Sequence, residues 1–180
     1  MLRVLQTVLA AMDTSSATVL RAMCLAANKG DAHAVAAWLD EGGGVDARCA
    51  ERIGDTLLMS AAYGGQEAMV RMLLQRGASV NLQNSFGGTA LMFAASKGHT
   101  TIVQALLDAK ADALLQDNDG WTALMFAEQR KHTATAQLLR QHAKRHAAEA
   151  EAAVMHAAAT APTANLSGRR VRILSLKPKP

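Results

Sequence analysis

The chain has 180 residues, is 50% hydrophobic, 3% aromatic and 19% charged, and carries a formal net charge of +4. That is enough apolar material to bury a core in one domain or one array, and no apolar run approaches the ~18 residues a membrane helix needs, so no membrane partner is expected. From Ala143 onward Lys144, Arg145, Arg169, Arg170, Arg172, Lys177 and Lys179 stand against Glu149 and Glu151, seven bases to two acids, so that stretch carries +5 and the rest −1. The basicity belongs to the tail and not to the body.

Residues 1–17, MLRVLQTVLAAMDTSSA, put Leu2, Leu5, Leu9 and Met12 at helical spacing, which predicts an amphipathic capping helix. Gln6 and Thr7 interrupt the apolar centre that a secretory signal needs, while the scarcity of acids keeps an organelle-targeting segment as the alternative. The next stretch holds two cysteines, Cys24 and Cys49, far apart and without a C-x-x-C pattern. A disulfide framework or zinc site is therefore not expected, and an intracellular, reducing compartment (cytoplasm or nucleus) fits.

From there the chain repeats itself. TLLMSAAYGGQEAMVRMLLQR begins at Thr56, TALMFAASKGHTTIVQALLDA at Thr89 and TALMFAEQRKHTATAQLL at Thr122, each 33 residues after the last. Gly54, Gly87 and Gly120 precede these threonines by two positions; Leu58, Leu91 and Leu124 follow by two, Met59, Met92 and Met125 by three, Ala61, Ala94 and Ala127 by five. A weaker first copy, LAANKGDAHAVAAWLDEGGGVDA, runs at an offset of 35. Each copy reads as helix, turn, helix, long turn. The threonine hydroxyl caps the first helix. Gly30, Gly65 and Gly98 end it. The second helix shows its apolar face at Ile102, Val103, Leu106 and Leu107 in the third copy. One such helix pair cannot bury its own apolar face, so stacked copies must bury it against one another, giving an all-α solenoid.

After the fourth copy, residues 147–161 are Ala-rich and predicted to extend the last helix. Pro162 ends it, and 162–180 form a basic tail expected to be flexible. Within the tail RRVRILSL alternates like a strand without a partner, similar to the opening strand of a small SH3-like barrel but with too little following to build one. The tail's charge also permits nucleic-acid contact, though without aromatics for base stacking.

The 33-residue period with T-x-L-x-x-A-A, G-H-x-x-I-V and L-L resembles the ankyrin repeat. DNDGWTALMFA, GHTTIVQALL and LLQRGASVN carry the likeness most closely, over about Thr18 to Ala143. The units are 18–50, 51–83, 84–116 and 117–146, an ankyrin-repeat solenoid of about four stacked helix-turn-helix units. This sequence departs from the family in two ways. The Pro of T-P-L-H is Leu57, Ala90 and Ala123, and its His is Met59, Met92 and Met125. That His ties neighbouring turns by hydrogen bonds, whereas Met only packs, so a looser array is expected. In the last unit Ala136 stands where Val103 stood and Leu139-Arg140 replaces the Leu pair, the more polar outer helix of a C-terminal cap.

The resemblance implies a protein-binding module that works through its concave face and turn tips. On the matching positions the turn-tip residues are Arg52, Ile53, Asp55, Phe86, Asp119 and Trp121, and the helix-face residues are Tyr63, Ser96, Lys97, Gln129 and Arg130. Ile53, Phe86, Tyr63 and Trp121 are expected to line an apolar strip with Arg52, Lys97 and Arg130 as its rim. An unknown protein partner and a monomeric chain are implied; the alternative is a nucleic-acid-associated or targeting adaptor whose basic tail does the binding.

Nothing points to catalysis, a cofactor or a metal. Asp117–Gly120, DNDG, lacks the Glu of a calcium loop, since Phe126 stands there. His142 and His146 have i, i+4 spacing but no convincing third ligand. Gly42-Gly43-Gly44 has no Gly-Lys-Ser/Thr after it and reads as a flexible turn.

Overall fold

The computed structural model describes residues 17–49 and 54–160. These residues form four helix pairs: α1 (Ala17–Lys29) with α2 (Ala32–Asp40), α3 (Leu57–Tyr63) with α4 (Glu67–Gln75), α5 (Ala90–Lys97) with α6 (Thr100–Asp108), and α7 (Ala123–Gln129) with α8 (Thr133–Thr160). A two-residue antiparallel ladder, β1 (Arg48–Cys49) with β2 (Asp55–Thr56), interrupts the all-α pattern between the first two pairs. All but the last residue of the capping segment expected over residues 1–17, and the basic tail from 162 onward, lie outside the described residues.

The threonines start the helices as their spacing requires. Thr56, Thr89 and Thr122 have extended backbones, and their hydroxyls accept the amides of Met59, Met92 and Met125 at 3.3, 3.3 and 3.4 Å. Met59 does more than pack: its sulfur accepts the Thr56 amide at 3.4 Å, the return half of a capping box.

The turn between the helices of a pair needs a positive φ, supplied by Gly65 and Gly98 at 73° each. Space demands glycine there as well. A Cβ on Gly65 would stand 2.7 Å from the His99 ring, and one on Gly98 would meet His132. The residue that opens each second helix thus seats on the preceding unit's glycine. Gln66 does so on Gly30 and donates to the Asn28 carbonyl at 3.1 Å, and the His132 ring lies 3.2 Å from the Ser96 carbonyl. In the fourth unit the position is Lys131, at φ 59°.

First helices pack on first helices along the array: α1 on α3, α3 on α5, α5 on α7. Ala27, Ala61, Ala94 and Ala127 are fully buried at these contacts, where a larger side chain would hold the helices apart. The second helices contribute Met69, Val70, Leu73, Ile102, Val103 and Leu106, also buried. In α8, Ala136 and Leu139 close the core, and the Thr135 hydroxyl lies 2.9 Å from that of Thr100.

The tie between neighbouring turns that the family His would make is made here by other residues, so the turns are not left loose. Asp46 accepts from the Ser79 amide and hydroxyl. Asn81 accepts the Asp112 amide at 2.8 Å, and Gln83 donates to the Gln116 carbonyl at 2.8 Å. Asn118 binds the Phe86 carbonyl with its amide and the Ser85 carbonyl with its side chain, each at 3.0 Å. Within the Gly42–Gly44 turn, Gly43 lies against the Trp38 indole with no room for a Cβ, whereas Gly42 faces open space.

The cysteines correct the sequence reading. Cys24 of α1 and Cys49 of β1 form a disulfide, with Cα atoms 6.7 Å apart and both residues buried. They are 25 residues apart along the chain, but α1 packs against β1, and that contact joins them. One staple is present where none was expected.

The chain divides into two units, Met1–Arg145 and His146–Pro180. The described part of the second is the end of α8, so the Ala-rich extension is helical through Thr160.

Candidate protein-interaction surface

The short first helices end one above another along the array, and their ends carry five of the eleven candidate binding side chains. α3 ends in Tyr63, which is 42% exposed. Gly64 follows, so close to the Asn28 carbonyl that no side chain fits. The Tyr63 ring stands edge-on to Phe93, with centroids 6.1 Å apart at 81°. Lys97, at the end of α5, holds its ammonium 4.3 Å from the Tyr63 centroid. This cation–π contact joins units two and three on the exposed side. Ser96 turns its hydroxyl back to the Phe93 carbonyl at 2.9 Å. Gln129 and Arg130 end α7 and are exposed.

The turn tips divide more sharply. Phe86 is 60% exposed. Its amide donates to Asn84 Oδ1 at 3.0 Å and its carbonyl accepts from the Asn118 amide, so the exposed ring sits on a held backbone. Asp119 is exposed, and its amide donates to Asp117 Oδ1 at 3.1 Å. Trp121 is half-buried, with its ring 5.5 Å from Phe126 and its amide 2.7 Å from Asp117 Oδ1, so packing takes much of this side chain. Asp55 is half-buried and accepts from Asn84 at 2.7 Å, an internal tie between units. Arg52 and Ile53 lie outside the described residues. Of the four residues expected to form an apolar strip, Phe86 and Tyr63 are exposed and Trp121 leans inward.

A cleft of about 430 Å³ lies between α1 and α3, lined by Arg21, Cys24, Leu25, Asn28, Ser60 and Tyr63 together with Cys49 of β1. Sequence reasoning did not mark Arg21 or Leu25, although Leu25 is 53% exposed. The first unit matches the others only weakly, with Arg21 standing where the offset of 35 would put the capping threonine, so Leu25 fell on no family motif position. The signal that could have found Leu25 is its place one residue after a buried cysteine on a helix.

Among the described residues no group of three or more His, Cys, Asp or Glu is placed to hold a metal ion. His146 stands 3.7 Å from Glu149. No helix among them is long and apolar enough to cross a membrane. At Glu67 the Arg71 guanidinium and then the Thr101 hydroxyl hold the carboxyl below its ordinary range.

Held turns, glycine-seated helix pairs and a 33-residue register agree with a family model described as ankyrin repeats (3 copies), which matches residues 4–84, 22–117 and 77–153. The chain belongs to the ankyrin-repeat family. It is similar to the mouse (Mus musculus) ankyrin repeat and SAM domain-containing protein 6, 45% identical over 47 residues. That match covers 26% of this chain and 5% of the mouse protein, so only the repeat itself is shared ground. Ankyrin arrays are in general protein–protein interaction modules and typically not enzymes.

Proposed function

We propose that this ankyrin array binds a partner protein through its first-helix face and turn tips, with Phe86 and Tyr63 as anchors and Lys97, Gln129, Arg130 and Asp119 around them. Exposed Phe86 on a backbone fixed from both sides carries the reading. Aromatic side chains dominate interface energetics, and a turn tip gains nothing from showing one to water. A surface held by inter-unit hydrogen bonds loses little freedom on binding, which favours affinity. Arg52 and Ile53 belong to the same proposed surface through their repeat positions. Recognition requires no cofactor and no chemistry.

The reading keeps the protein intracellular, in cytoplasm or nucleus. There glutathione holds accessible thiols reduced, so the redox state of the buried Cys24–Cys49 pair is its weak point. Thiol trapping of the chain in intact cells tests this, and a fully oxidised pair would argue for another compartment.

The binding reading is tested by affinity capture with three baits. One is the whole chain, one carries Phe86→Ala with Tyr63→Ala, and one carries Arg169→Gln, Arg170→Gln and Arg172→Gln. A partner kept by the tail variant and lost by the aromatic variant is the expected result. A partner lost only with the tail arginines would overturn it in favour of a tail-borne adaptor.

A further inference from the structure

We infer that the row of first-helix ends receives an extended, acidic segment of a protein partner, with one apolar side chain of that segment entering the cleft between α1 and α3. The inference rests on the binding surface proposed above and names the chemistry of what it binds.

The row is cationic and has almost no acid of its own. α1, α3 and α5 contain no Asp or Glu, and α7 contains only Glu128. Glu128 is engaged by Arg140 at 2.6 Å. The nearest other acid in the first unit, Asp31, is committed to capping α2 through the Ala34 amide. Against this stand Lys29 at the end of α1, Lys97 at the end of α5 and Arg130 capping α7, all exposed. The body of the chain is otherwise slightly acidic, so the concentration of positive charge is local to this face. Cations at helix C-termini complement the helix macrodipole, so the fold holds Lys29, Lys97 and Arg130 in register without added strain. Lys97 is further positioned by the Tyr63 ring beneath it.

Unit two has no cation in this row. It offers Tyr63 and the mouth of the cleft instead, with Leu25 and the buried sulfurs as its apolar wall. Packed helices lie about 10 Å apart, so the four units span roughly 30 Å, the length of about nine residues of extended chain. The order along the face is cation, apolar cleft, cation, cation. An acidic peptide with one apolar anchor near its first third matches that order.

Protein is favoured over nucleic acid on the same observations. A nucleic-acid groove needs many phosphate contacts and stacking aromatics, and this row offers three cations and a single exposed ring, Tyr63.

The experiment uses the whole chain. A displayed library of random peptides of about twelve residues is selected against it at near-physiological salt, and the strongest peptide is synthesised. The inference predicts acids in clear excess over bases among the selected peptides, with an aromatic or aliphatic residue at a fixed position. Lys97→Glu with Arg130→Glu should weaken that peptide at least about ten-fold, and Lys97→Gln with Arg130→Gln should weaken it less. Tyr63→Ala should weaken it too, and circular dichroism should be unchanged in every variant. Selected peptides without acidic excess, or indifferent to charge reversal yet sensitive to Tyr63→Ala, would overturn the acidic partner and leave the binding surface standing. Peptides indifferent to Tyr63, Phe86, Lys97 and Arg130 together would overturn both. A single-stranded oligonucleotide that bound as tightly, and was as sensitive to Lys97→Glu with Arg130→Glu, would overturn the choice of protein.

Discussion

Units three and four open with the same six residues, TALMFA, and fare differently. Met92 is 3% exposed and Met125 is 46% exposed; Leu91 and Thr89 are buried, whereas Leu124 and Thr122 are half-buried. The residue turning into the second helix is Gly98 in one unit, pressed by His132, and Lys131 in the other. The first five residues of the two helices, ALMFA, are identical, so the difference in their burial comes from what packs on them. Burial in such an array belongs to the neighbour pair and not to the unit, as expected of a quasi-one-dimensional fold.

The comparison can be broken or sharpened by mutation, starting with the methionines. Met92→Ala should lower stability by about 3 kcal/mol, while Met125→Ala should cost less than about 1 kcal/mol. Urea denaturation of the two variants side by side is the check, and equal losses would mean that unit four is as covered as unit three. In the first unit the Cys24–Cys49 staple joins α1 to β1. Cys24→Ser with Cys49→Ser should cost about 2–3 kcal/mol against the oxidised protein, and reductant added to the wild type should reproduce the loss.

Gly98→Ala should cost about 2 kcal/mol, because the methyl group meets both a positive φ and the His132 ring. Lys131→Gly should gain a few tenths, at most about 0.5 kcal/mol. Thermal unfolding separates the two easily, and a harmless Gly98→Ala would contradict the seating of His132. Among the caps, Thr89→Ala should cost about 1 kcal/mol and the half-exposed Thr122→Ala about half of that.

Smallest of all is Glu67. Its carboxyl is held low by Arg71 and then by Thr101 of the next unit. A lowered folded pKa means that the ionised form contributes above the ordinary value of 4.5, and that this contribution disappears as pH falls through the lowered value. The Glu67 side chain is 42% exposed and its Arg71 partner more so, so solvent screens the pair and Glu67→Gln should barely move the urea midpoint at pH 7. A large shift there would show the pair to be shielded in a way its exposure denies.

What the sequence made legible is what recurs at fixed spacing. The threonine caps, the inter-helix glycines, the buried alanines and the Ile102–Leu107 face follow from the 33-residue register and local physics alone. The missed features depend on packing or on a rotamer. The Cys24–Cys49 bridge depends on α1 meeting β1, and the Thr56–Met59 sulfur bond depends on a rotamer. The use of Asp55 by Asn84 depends on how one turn lies on the next. The cleft beside Leu25 escaped because the first unit matches the repeat only weakly. For the proposed surface, repeat positions marked Tyr63, Phe86 and Lys97 as candidates, but the cation–π contact linking two of them emerged only from stacking.

The central claim is that partners are read by the first-helix ends and turn tips. The most direct test is amide chemical-shift mapping of the isotope-labelled chain with a captured partner or selected peptide. Shifts grouped at Tyr63, Phe86, Ser96–Lys97 and Gln129–Arg130 are the predicted result. Shifts grouped on α2, α4 and α6, or confined to residues 162–180, would contradict it.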